Sequence, residues 1–584
     1  MQKLFEKNIS FLYKNLPQYY NLIKNIKNRN YKITNDNIYD LNNNPLYPNG
    51  IEHDSQTMAA QPTHNTLWEK KYSSIEPLEW NEKDFPYTGK AVNEVISAAR
   101  KYASYTKNGF YFDKDFLPST IIFGLLGGKH LDLLVKKYNF QSLFVYEPNP
   151  EFFAISLYFV DYEYIYKKLN ERFFIWVNGT LDYYAIEKFY YERIITSSFL
   201  NLVYTTYSHP LIEDAKSKFE QIRLSKFRGW GTYEDEMKGV NNHLKNINKY
   251  PLLISSKPID APFCIVANGK SLEKNIPFIK KNQNSMIIVS VGTAINPLLH
   301  AGIHSDFHIE QERIDLLKDI LKEPLKKYNG RFLGASVVNP NVFEYAKTPL
   351  MYIREGFTFS DKNTLLGSSP IVGNSGFAFA ARFTKEIYLC GMDLGFRLNE
   401  RKHPQNSYYD DKNDKAKSGI KVKGNFSDDI YSDSLLISSK TKIENMIKAM
   451  NLKVYNLSDG AYIQNTVPLK DKDLEKIDKT KHINTILSCF EKTNYDTQKT
   501  DIKPVLEKID LSLKTSNPKN LQELTGTVDF IEDVFKSSNT PQTNLVKGSV
   551  YHYLFSIYQN AHKLSKNDFK DLLQKISITK HFNT

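Results

Sequence analysis

The sequence predicts an α/β protein with two successive Rossmann-like α/β domains and an all-helical C-terminal domain. Short apolar, β-rich runs alternate with helical stretches from about residue 86 to residue 465, and their connections are long enough for the crossovers of a largely parallel sheet. Glycine turns follow several of these runs, as in doubly wound folds. Beyond about residue 466 the strand patterns end, and apolar residues recur at helical spacing.

The length of 584 residues suggests roughly three or four domains. We expect an N-terminal extension at residues 1–85, an α/β domain with a helical connector at 86–250, a second α/β domain at 251–465 and a helical domain at 466–584. The extension contains an Asn-rich stretch that predicts loops or extended strands.

The charge of the chain is +12, with a sequence pI near 9.0. This balance suits an anionic substrate or an acidic partner. Lysines are spread along the chain rather than massed in blocks, so the sequence does not indicate a nucleic-acid partner.

The cysteines and the apolar runs indicate a cytoplasmic protein. The chain has three cysteines, Cys264, Cys390 and Cys489, and no pair has zinc or redox spacing. The first residues carry charges where a signal peptide needs an apolar core. The long uncharged run Met286–Ile303 contains Gly, Asn and Pro, so we expect a strand, a turn and a helix there rather than a membrane span.

In the first α/β domain, Gly124, Gly127 and Gly128 follow a predicted strand, and Glu147 ends the next one. A glycine turn followed by such an acid is the arrangement that binds a nucleotide and its ribose in doubly wound folds. A methyltransferase-like relic without a ligand would show the same pattern. Because any tight strand-to-helix turn needs glycine, we favour a structural role.

In the second α/β domain, the stretch "CIVANGKSL" ends in Gly-Lys-Ser after an apolar strand. A nucleoside-triphosphate P-loop needs glycine five residues before Gly269, and Cys264 stands there. The remaining pattern is a short turn and a helix with Ser271 as its N-cap, whose free N–H groups would attract an anion. An ordinary strand–turn–helix junction is the alternative interpretation.

Further small polar residues follow the other predicted strands of this domain. Ligands of parallel sheets bind beyond the carboxyl ends of the strands. The residues at these ends are Asn268, Gly269, Ser271, Thr293, Glu310, Gln311, Asp393 and Asp459, and Asn374, Ser375 and Gly376 stand at a predicted helix start.

The second domain resembles the motility-associated factor (Maf) family in "CIVANGKSLEKNIPFIKKNQNSMIIVSVGTAINPLLHAGIHSDFHIEQE", "GNSGFAFAARFTKEIYLCGMDLGF" and "YNLSDGAYI". The core is also similar to bacterial sialyltransferases that use CMP-sialic acid. The resemblance implies a sialyltransferase-type domain in a cytoplasmic flagellin glycosyltransferase. Such an enzyme transfers a nonulosonic acid, pseudaminic or legionaminic acid, from its CMP form to Ser or Thr hydroxyls of flagellin.

The resemblance also implies roles for residues of this chain. Those expected to contact the donor nucleotide or its sugar are Asn268, Gly269, Ser271, Thr293, Gln311, Asn374, Ser375, Gly376 and Asp393. The leaving group has a single phosphate, so we expect neither a metal nor another cofactor. Lys270 stands where sialyltransferases commonly carry proline, and we expect it to face water.

The general base is not given by the resemblance. Sialyltransferases place a histidine shortly before the final helix of the core, and "YSDSLLISSKTKIENM" lacks one. His403, in the loop after Asp393, is the expected substitute, because histidine most often accepts the proton of an attacking hydroxyl. Tyr408 and Tyr409 would hydrogen-bond the departing phosphate. An exposed loop without a catalytic role is the alternative.

Two other functions remain open from the sequence. Archaeal pterin pyrophosphokinases have a similar core and use ATP with a metal. A flagellin-binding chaperone that keeps the fold without the chemistry would also account for the missing histidine of the sialyltransferase core.

Overall fold

The structure of the protein is a computed structural model that describes residues 1–582 except Asn28, Asn35, 227–228, Asp411, Asn413 and 496–500. Its contacts form two compact units. The first unit comprises Met1–Glu234 and Asp501–Thr584, and the second comprises Asp235–Thr500. The segment boundaries expected at residues 85, 250 and 465 stay predictions.

The helices in the described part of the chain are α1 (Gln2–Asn15), α2 (Pro17–Lys24), α3 (Ile51–Ala59), α4 (Thr88–Ala99), α5 (Lys129–Lys137), α6 (Pro150–Ser156), α7 (Tyr162–Leu169), α8 (Tyr183–Glu192), α9 (Ile194–Phe199), α10 (Pro210–Lys226), α11 (Tyr233–Asn246), α12 (Leu272–Asn282), α13 (Ile295–His300), α14 (Leu316–Lys327), α15 (Pro340–Tyr345), α16 (Val372–Ala381), α17 (Ser434–Met450), α18 (Lys479–Leu487), α19 (Lys503–Ser516), α20 (Leu521–Ser537), α21 (Pro541–Ala561) and α22 (Lys566–Lys575). None of them combines the length and the apolar character that a membrane span requires.

The strands are β1 (Tyr31–Ile33), β2 (Ile38–Asp40), β3 (Glu69–Tyr72), β4 (Phe116–Leu117), β5 (Ser119–Phe123), β6 (Asn139–Phe140), β7 (Leu143–Glu147), β8 (Phe173–Val177), β9 (Leu200–Thr205), β10 (Leu252–Leu253), β11 (Phe263–Val266), β12 (Ile287–Val291), β13 (Phe307–Glu310), β14 (Arg331–Ala335), β15 (Pro349–Arg354), β16 (Thr364–Leu365), β17 (Glu386–Cys390), β18 (Ile420–Lys421), β19 (Tyr431–Ser432), β20 (Lys453–Asn456), β21 (Thr466–Pro468) and β22 (Phe490–Glu491).

The first unit is built on a five-stranded sheet in the order β3-β9-β5-β7-β8. All neighbouring strands are parallel except β3 and β9, which run antiparallel. Helices of the C-terminal segment pack into this same unit: the Thr88 hydroxyl lies 2.6 Å from that of Ser549. The Glu532 carboxylate accepts hydrogen bonds from the N–H groups of Ile194 and Ile195 at 2.8 and 3.0 Å. The helices from Asp501 onward therefore belong to the same unit as this sheet. Residues 466–500, which the sequence predicts as part of an all-helical domain, lie in the second unit and contain the strands β21 and β22.

The glycine turn of the first unit is filled by tyrosine side chains. Gly124 has a φ of 88°, and a Cβ there would lie 2.5 Å from Tyr207 Cε1. The hydroxyl of Tyr207 donates to the carboxylate of Glu147, which also accepts the N–H of Leu125 at 2.6 Å. Burial raises the pKa of Glu147 to about 7. The acid that would hold a ribose is thus used within the protein.

The N-terminal extension also packs against this turn. The N–H of Gly127 donates to the Tyr47 hydroxyl at 2.9 Å, and a Cβ at Gly127 would lie 2.9 Å from both Ile38 and Ile51. Protein atoms therefore occupy the place where a dinucleotide would approach the turn, which favours the structural interpretation of these glycines.

The second unit is built on an eleven-stranded, mostly parallel sheet. Its order is β21-β20-β17-β11-β12-β13-β14-β15-β10-β22, with β16 paired to β15. Only the pair β10–β22 is antiparallel in this described sheet. The strands predicted from the sequence are confirmed as β11, β12, β13, β14, β15, β17 and β20. The chain leaves β11 in one direction to β12 and returns later to β17 on its other side, so the topological switch point lies between β11 and β17.

Helix α16 packs closely on the centre of this sheet. A Cβ at Gly376 would lie 2.5 Å from Val291 Cγ1, so only glycine lets the helix approach β12 this closely. The strands β11, β12 and β17 are almost wholly buried, because they are covered on both faces. The start of α16 is thereby fixed at the carboxyl edge of the sheet.

Candidate functional site

The turn after β11 connects directly to the segment after β17. Ser271 stands at the N-cap position of α12, but its hydroxyl donates to the carboxylate of Asp393 rather than to the helix. The expectation that its side chain caps the helix is therefore wrong, because a buried acid from the neighbouring strand competes for it. The N–H of Ser271 donates to the same carboxylate at 3.0 Å.

Asp393 is an anion buried at the start of a helix. Its side chain sits beside the helix N-terminus, where negative charge is favoured. Burial raises its pKa to about 6, while the hydrogen bonds from Ser271 act in the opposite direction. Gly269 permits this approach, because a Cβ there would lie 2.5 Å from Asp393 Oδ2. The structure thus brings the predicted residues Gly269, Ser271 and Asp393 together.

The N–H groups at the start of α12 are all used within the protein. The N–H of Gly269 donates to the carbonyl of Gly391 at 2.8 Å, and that of Lys270 donates to the carbonyl of Lys402 at 2.9 Å. With Ser271 bound to Asp393, the anion expected at this helix start is supplied by the chain itself. In this conformation of the protein, an anionic ligand has to receive its hydrogen bonds from other groups on the sheet edge.

Asn268 and Thr293 form a second pair at the same edge. Thr293 lies in the 3₁₀ turn Gly292–Ala294 that follows β12. The Asn268 Nδ2 donates to the Thr293 hydroxyl oxygen at 2.7 Å. The Oδ1 of Asn268 is buried and has no partner in the described part of the chain. A buried acceptor without a donor costs about 1–3 kcal/mol, so this atom is suited to a ligand that donates a hydrogen bond.

The start of α16 offers free N–H groups beside this pair. Within the described residues, the N–H groups of Val372 and Gly373 have no hydrogen-bond partner. A Cβ at Gly292 would lie 3.1 Å from Val372 Cγ1, which places this helix start against the turn that carries Thr293. Free N–H groups at a helix N-terminus attract anions.

The predicted residues of α16 bind other parts of the protein with their side chains. The Ser375 hydroxyl donates to Gln311 Oε1 at 2.7 Å and accepts the Tyr352 hydroxyl at 2.9 Å. Asn374 exchanges hydrogen bonds with Ser439, whose hydroxyl donates to Asn374 Oδ1 at 2.7 Å. All these side chains are buried, so in this structure they hold the helix start in place.

His403 lies in the loop after β17 with its ring held on two sides. Its Nδ1 lies 3.0 Å from Asp414 Oδ2, and its ring stacks on that of Tyr409 at 3.9 Å between centroids. Burial lowers the pKa of His403, and the Asp414 carboxylate opposes that shift. Tyr408 meets Tyr409 edge to face at 5.3 Å, and Lys412 Nζ lies 3.2 Å from the centre of the Tyr408 ring.

The loop that carries His403 is attached to the start of α12. Besides the bond between Lys270 and Lys402, the N–H of Gln405 donates to the Glu273 carboxylate at 2.8 Å. Lys270 Nζ pairs with the same carboxylate at 2.8 Å. These contacts place His403, Tyr408 and Tyr409 near the turn after β11.

One acidic residue beside His403, Asp414, was not predicted from the sequence, and Glu310 was predicted at the sheet edge without a role. Asp414 belongs to a polar loop, and nothing in its spacing indicates that it meets His403. Glu310 ends β13 and is only 2% exposed, and its Oε1 has no partner in the described part of the chain. Burial raises the pKa of Glu310, and its nearest base, His308 Nε2, lies at 3.7 Å. The position of Glu310 at the end of a strand indicated the sheet edge but not its burial without a partner.

The residues that the structure describes contain no group of three or more His, Cys, Asp or Glu side chains that could hold a metal ion.

Comparisons with known protein families give one match in the N-terminal part of the chain and one in the second unit. Residues 4–224 match the family model "Glycosyltransferase Maf N-terminal domain", and residues 238–399 match "6-hydroxymethylpterin diphosphokinase MptE-like". The resemblance to the Maf family that the motifs indicate is confirmed by these domain matches. A comparison with curated protein sequences gives no match.

A solved structure has a similar fold. The structure of a MAf glycosyltransferase from Magnetospirillum magneticum AMB-1 matches 100% of this chain and 94% of its own chain, with a TM-score of 0.68 and 19% sequence identity. At this identity the match shows the fold: an α/β protein with a mixed sheet, a large mostly parallel sheet and C-terminal helices.

Proposed function

We propose that this chain, whose N-terminal part belongs to the Maf glycosyltransferase N-terminal domain family, transfers a nonulosonic acid from its CMP form to Ser or Thr hydroxyls of flagellin. Pseudaminic and legionaminic acid are the expected sugars. The second unit is then a sialyltransferase-type, Rossmann-like catalytic domain. Its partners are flagellin and the CMP-activated sugar, without a nucleic acid, and it acts in the cytoplasm before flagellin is exported.

One observation supports a CMP donor above the others: free anion-binding groups and a free amide acceptor meet at one sheet edge. The N–H groups of Val372 and Gly373 suit the phosphate or the sugar carboxylate. The buried Oδ1 of Asn268 suits a donor such as a ribose hydroxyl or the cytosine amino group. Thr293 orients that amide.

The reaction is a single displacement at the anomeric carbon, in which the acceptor hydroxyl replaces CMP. His403 Nε2 accepts the proton of the acceptor hydroxyl, and the hydroxyl oxygen forms a bond to the anomeric carbon of the sugar. The bond between that carbon and the phosphate oxygen breaks, and its electron pair leaves on CMP. Tyr408 and Tyr409 hydrogen-bond the departing phosphate. A single phosphate leaves, so we expect transfer without a metal or another cofactor.

Asn268, Gly269, Ser271, Thr293, Gln311, Asn374, Ser375, Gly376 and Asp393 make up the proposed donor site in two groups. Asn268 and Thr293 touch the donor. The others hold the turn after β11 and the start of α16 in the geometry that the donor needs, through the contacts described above.

The test is transfer to purified flagellin. The protein is incubated with unmodified flagellin and either CMP-pseudaminic or CMP-legionaminic acid, and intact mass is measured. Increments of one sugar residue are expected, and Asn268→Ala should lower their rate at least about tenfold. Asn341→Ala, which changes an exposed asparagine of the same unit, is the matched control. No increment with either donor would refute the proposal.

The match of residues 238–399 favours a second candidate, a pterin-type diphosphokinase that uses ATP. Thermal-shift titrations separate the two activities. Stabilisation by CMP without a metal supports the transferase, and stabilisation by Mg-ATP with a hydroxymethylpterin supports the kinase. Binding of flagellin without either response supports the non-enzymatic chaperone.

A further inference from the structure

We propose that Asp414 is the positioning residue that fixes the tautomer of His403 and raises its basicity for the transfer reaction. This inference rests on the proposed function, because it assigns the base of that reaction a partner. Neither the motifs nor the family matches assign Asp414 a role.

One carboxylate oxygen of Asp414 holds His403 at two points. Asp414 Oδ2 accepts the backbone N–H of His403 at 3.1 Å and lies 3.0 Å from its Nδ1. An ionised carboxylate only accepts hydrogen bonds, so Nδ1 carries the proton. The lone pair is then on Nε2, which has no partner in the described part of the chain.

The carboxylate is buried with the imidazole as its ionic partner. The side chain of Asp414 is 4% exposed, whereas that of His403 is 25% exposed. A buried charge is retained when it is paired, and the protonated ring that forms during the reaction supplies the pairing charge. Asp414 therefore stabilises the imidazolium form, in which His403 has just accepted the hydroxyl proton.

Other groups that face His403 act on its pKa in the opposite direction. Burial lowers that pKa most, and the charges of Lys402 and Arg401 also lower it. Arg401 is partly neutralised by its ion pair with Asp410. Tyr409 stacks on the ring and limits its rotation. Asp414 is thus the one group among those that raises the pKa of His403.

In the reaction, the proton moves from the acceptor hydroxyl to His403 Nε2 and remains on the imidazole while CMP leaves. Asp414 keeps its hydrogen bond to Nδ1–H and takes up no proton. Asp414→Asn preserves the size of the side chain but removes the charge, so the ring becomes a weaker base and its tautomer is no longer fixed.

The test uses the full-length protein with ¹³C-labelled histidine, and NMR follows each histidine resonance from pH 4 to pH 8. His403→Gln identifies the His403 signal by its loss. We expect Asp414→Asn to lower the pKa of His403 by at least about one unit. In the transfer assay, kcat should fall at least about tenfold, and KM for the donor should change less than about twofold. The acid limb of the curve of kcat against pH should move to lower pH.

Two further variants keep this test decisive. Asp410→Asn removes an ion pair from the same loop without touching His403, and it should shift the pKa of His403 by less than a third as much. Asp414→Glu restores the charge and should recover the acid limb. Unchanged His403 titration in Asp414→Asn overturns the inference, as does an unmoved acid limb. If the wild-type protein transfers no sugar, the proposed function fails, and the NMR titration still decides whether Asp414 controls His403.

Discussion

The buried carboxylate of Asp393 binds both the N–H and the hydroxyl of Ser271, although 122 residues separate them in the chain. This pairing joins the turn after β11 to the segment after β17, the two strands on either side of the switch point. It also gives α12 an N-terminal anion that belongs to the protein. The contact therefore holds together the part of the sheet edge where we place the donor.

Removal of this carboxylate should weaken the second unit. Asp393→Ala leaves the buried N–H and hydroxyl of Ser271 without acceptors, which costs about 1–3 kcal/mol in the free energy of unfolding. Urea unfolding followed by circular dichroism measures the change. Asp428→Ala, which removes an exposed acid of the same unit, should leave the midpoint unchanged. An equal midpoint for both variants would contradict a structural role for Asp393.

Any side chain at Gly269 should disrupt the same turn. In Gly269→Ala the new Cβ would lie 2.5 Å from Asp393 Oδ2 and 2.6 Å from the Gly391 carbonyl oxygen, and the backbone cannot yield easily. We expect a loss of at least about 2 kcal/mol in the free energy of unfolding. Gly526→Ala is the control, since its Cβ would meet no atom within 4 Å beyond its own helix backbone and chain neighbours, and its helix gains up to about 1 kcal/mol. A stable Gly269→Ala variant would mean that the turn opens at little cost.

Donor affinity should depend on the Thr293 hydroxyl. Thr293→Val keeps the shape of the side chain but removes the acceptor of Asn268 Nδ2, so the amide loses its fixed orientation. The loss of one such hydrogen bond corresponds to about 0.5–1.5 kcal/mol, or roughly a two- to tenfold higher Kd for CMP by calorimetry. Thr348→Val, an exposed change in the same unit, should bind CMP as the wild type does. Equal Kd values in all three proteins would place CMP away from this pair.

The stability of the first unit should depend on pH through Asp529. Burial raises the pKa of Asp529 from 3.8 to about 7. An acid with a raised pKa in the folded state stabilises that state below its unfolded pKa, and the stabilisation is lost as the pH rises through about 7. Between pH 4 and pH 8 this loss amounts to a few kcal/mol, at about 1.4 kcal/mol per pKa unit.

Asp529→Asn should remove this dependence, because the amide does not titrate. The free energy of unfolding of the variant is expected to fall less than that of the wild type between pH 4 and pH 8. Asp533→Asn, which changes the half-exposed acid one turn further along α20, is the control and should follow the wild type. If the free energy of unfolding changes equally with pH in Asp529→Asn and in the wild type, Asp529 is ionised between pH 4 and pH 8.

The sequence predicted seven strands of the second unit, β11 to β15, β17 and β20, because most of them are local runs rich in apolar residues. The runs are mostly apolar, since both faces of a parallel sheet are buried. The strand β9 (Leu200–Thr205) was not among the predicted strands of the first unit. It follows α9 without a glycine or proline, so no local residue marks where the helix ends.

The site was predicted at the level of segments but not of contacts. Asn268 and Thr293 follow neighbouring strands, so their proximity could be expected from the rule for parallel sheets. The binding of Ser271 by Asp393, in contrast, depends on which strands are neighbours across a crossover. The pairing of His403 with Asp414 depends on the path of an irregular loop, which has no periodicity from which it could be predicted.

The first unit is assembled from two stretches of chain, because the second unit is inserted between Glu234 and Asp501. A ribosome therefore completes residues 235–500 before it makes α20, whose Glu532 binds the N–H groups of Ile194 and Ile195. Because a ribosome adds about 5–20 residues per second, the C-terminal helices are made on the order of tens of seconds after the first sheet. During synthesis the inserted unit can fold first, and the nascent first unit is the part that needs protection from aggregation.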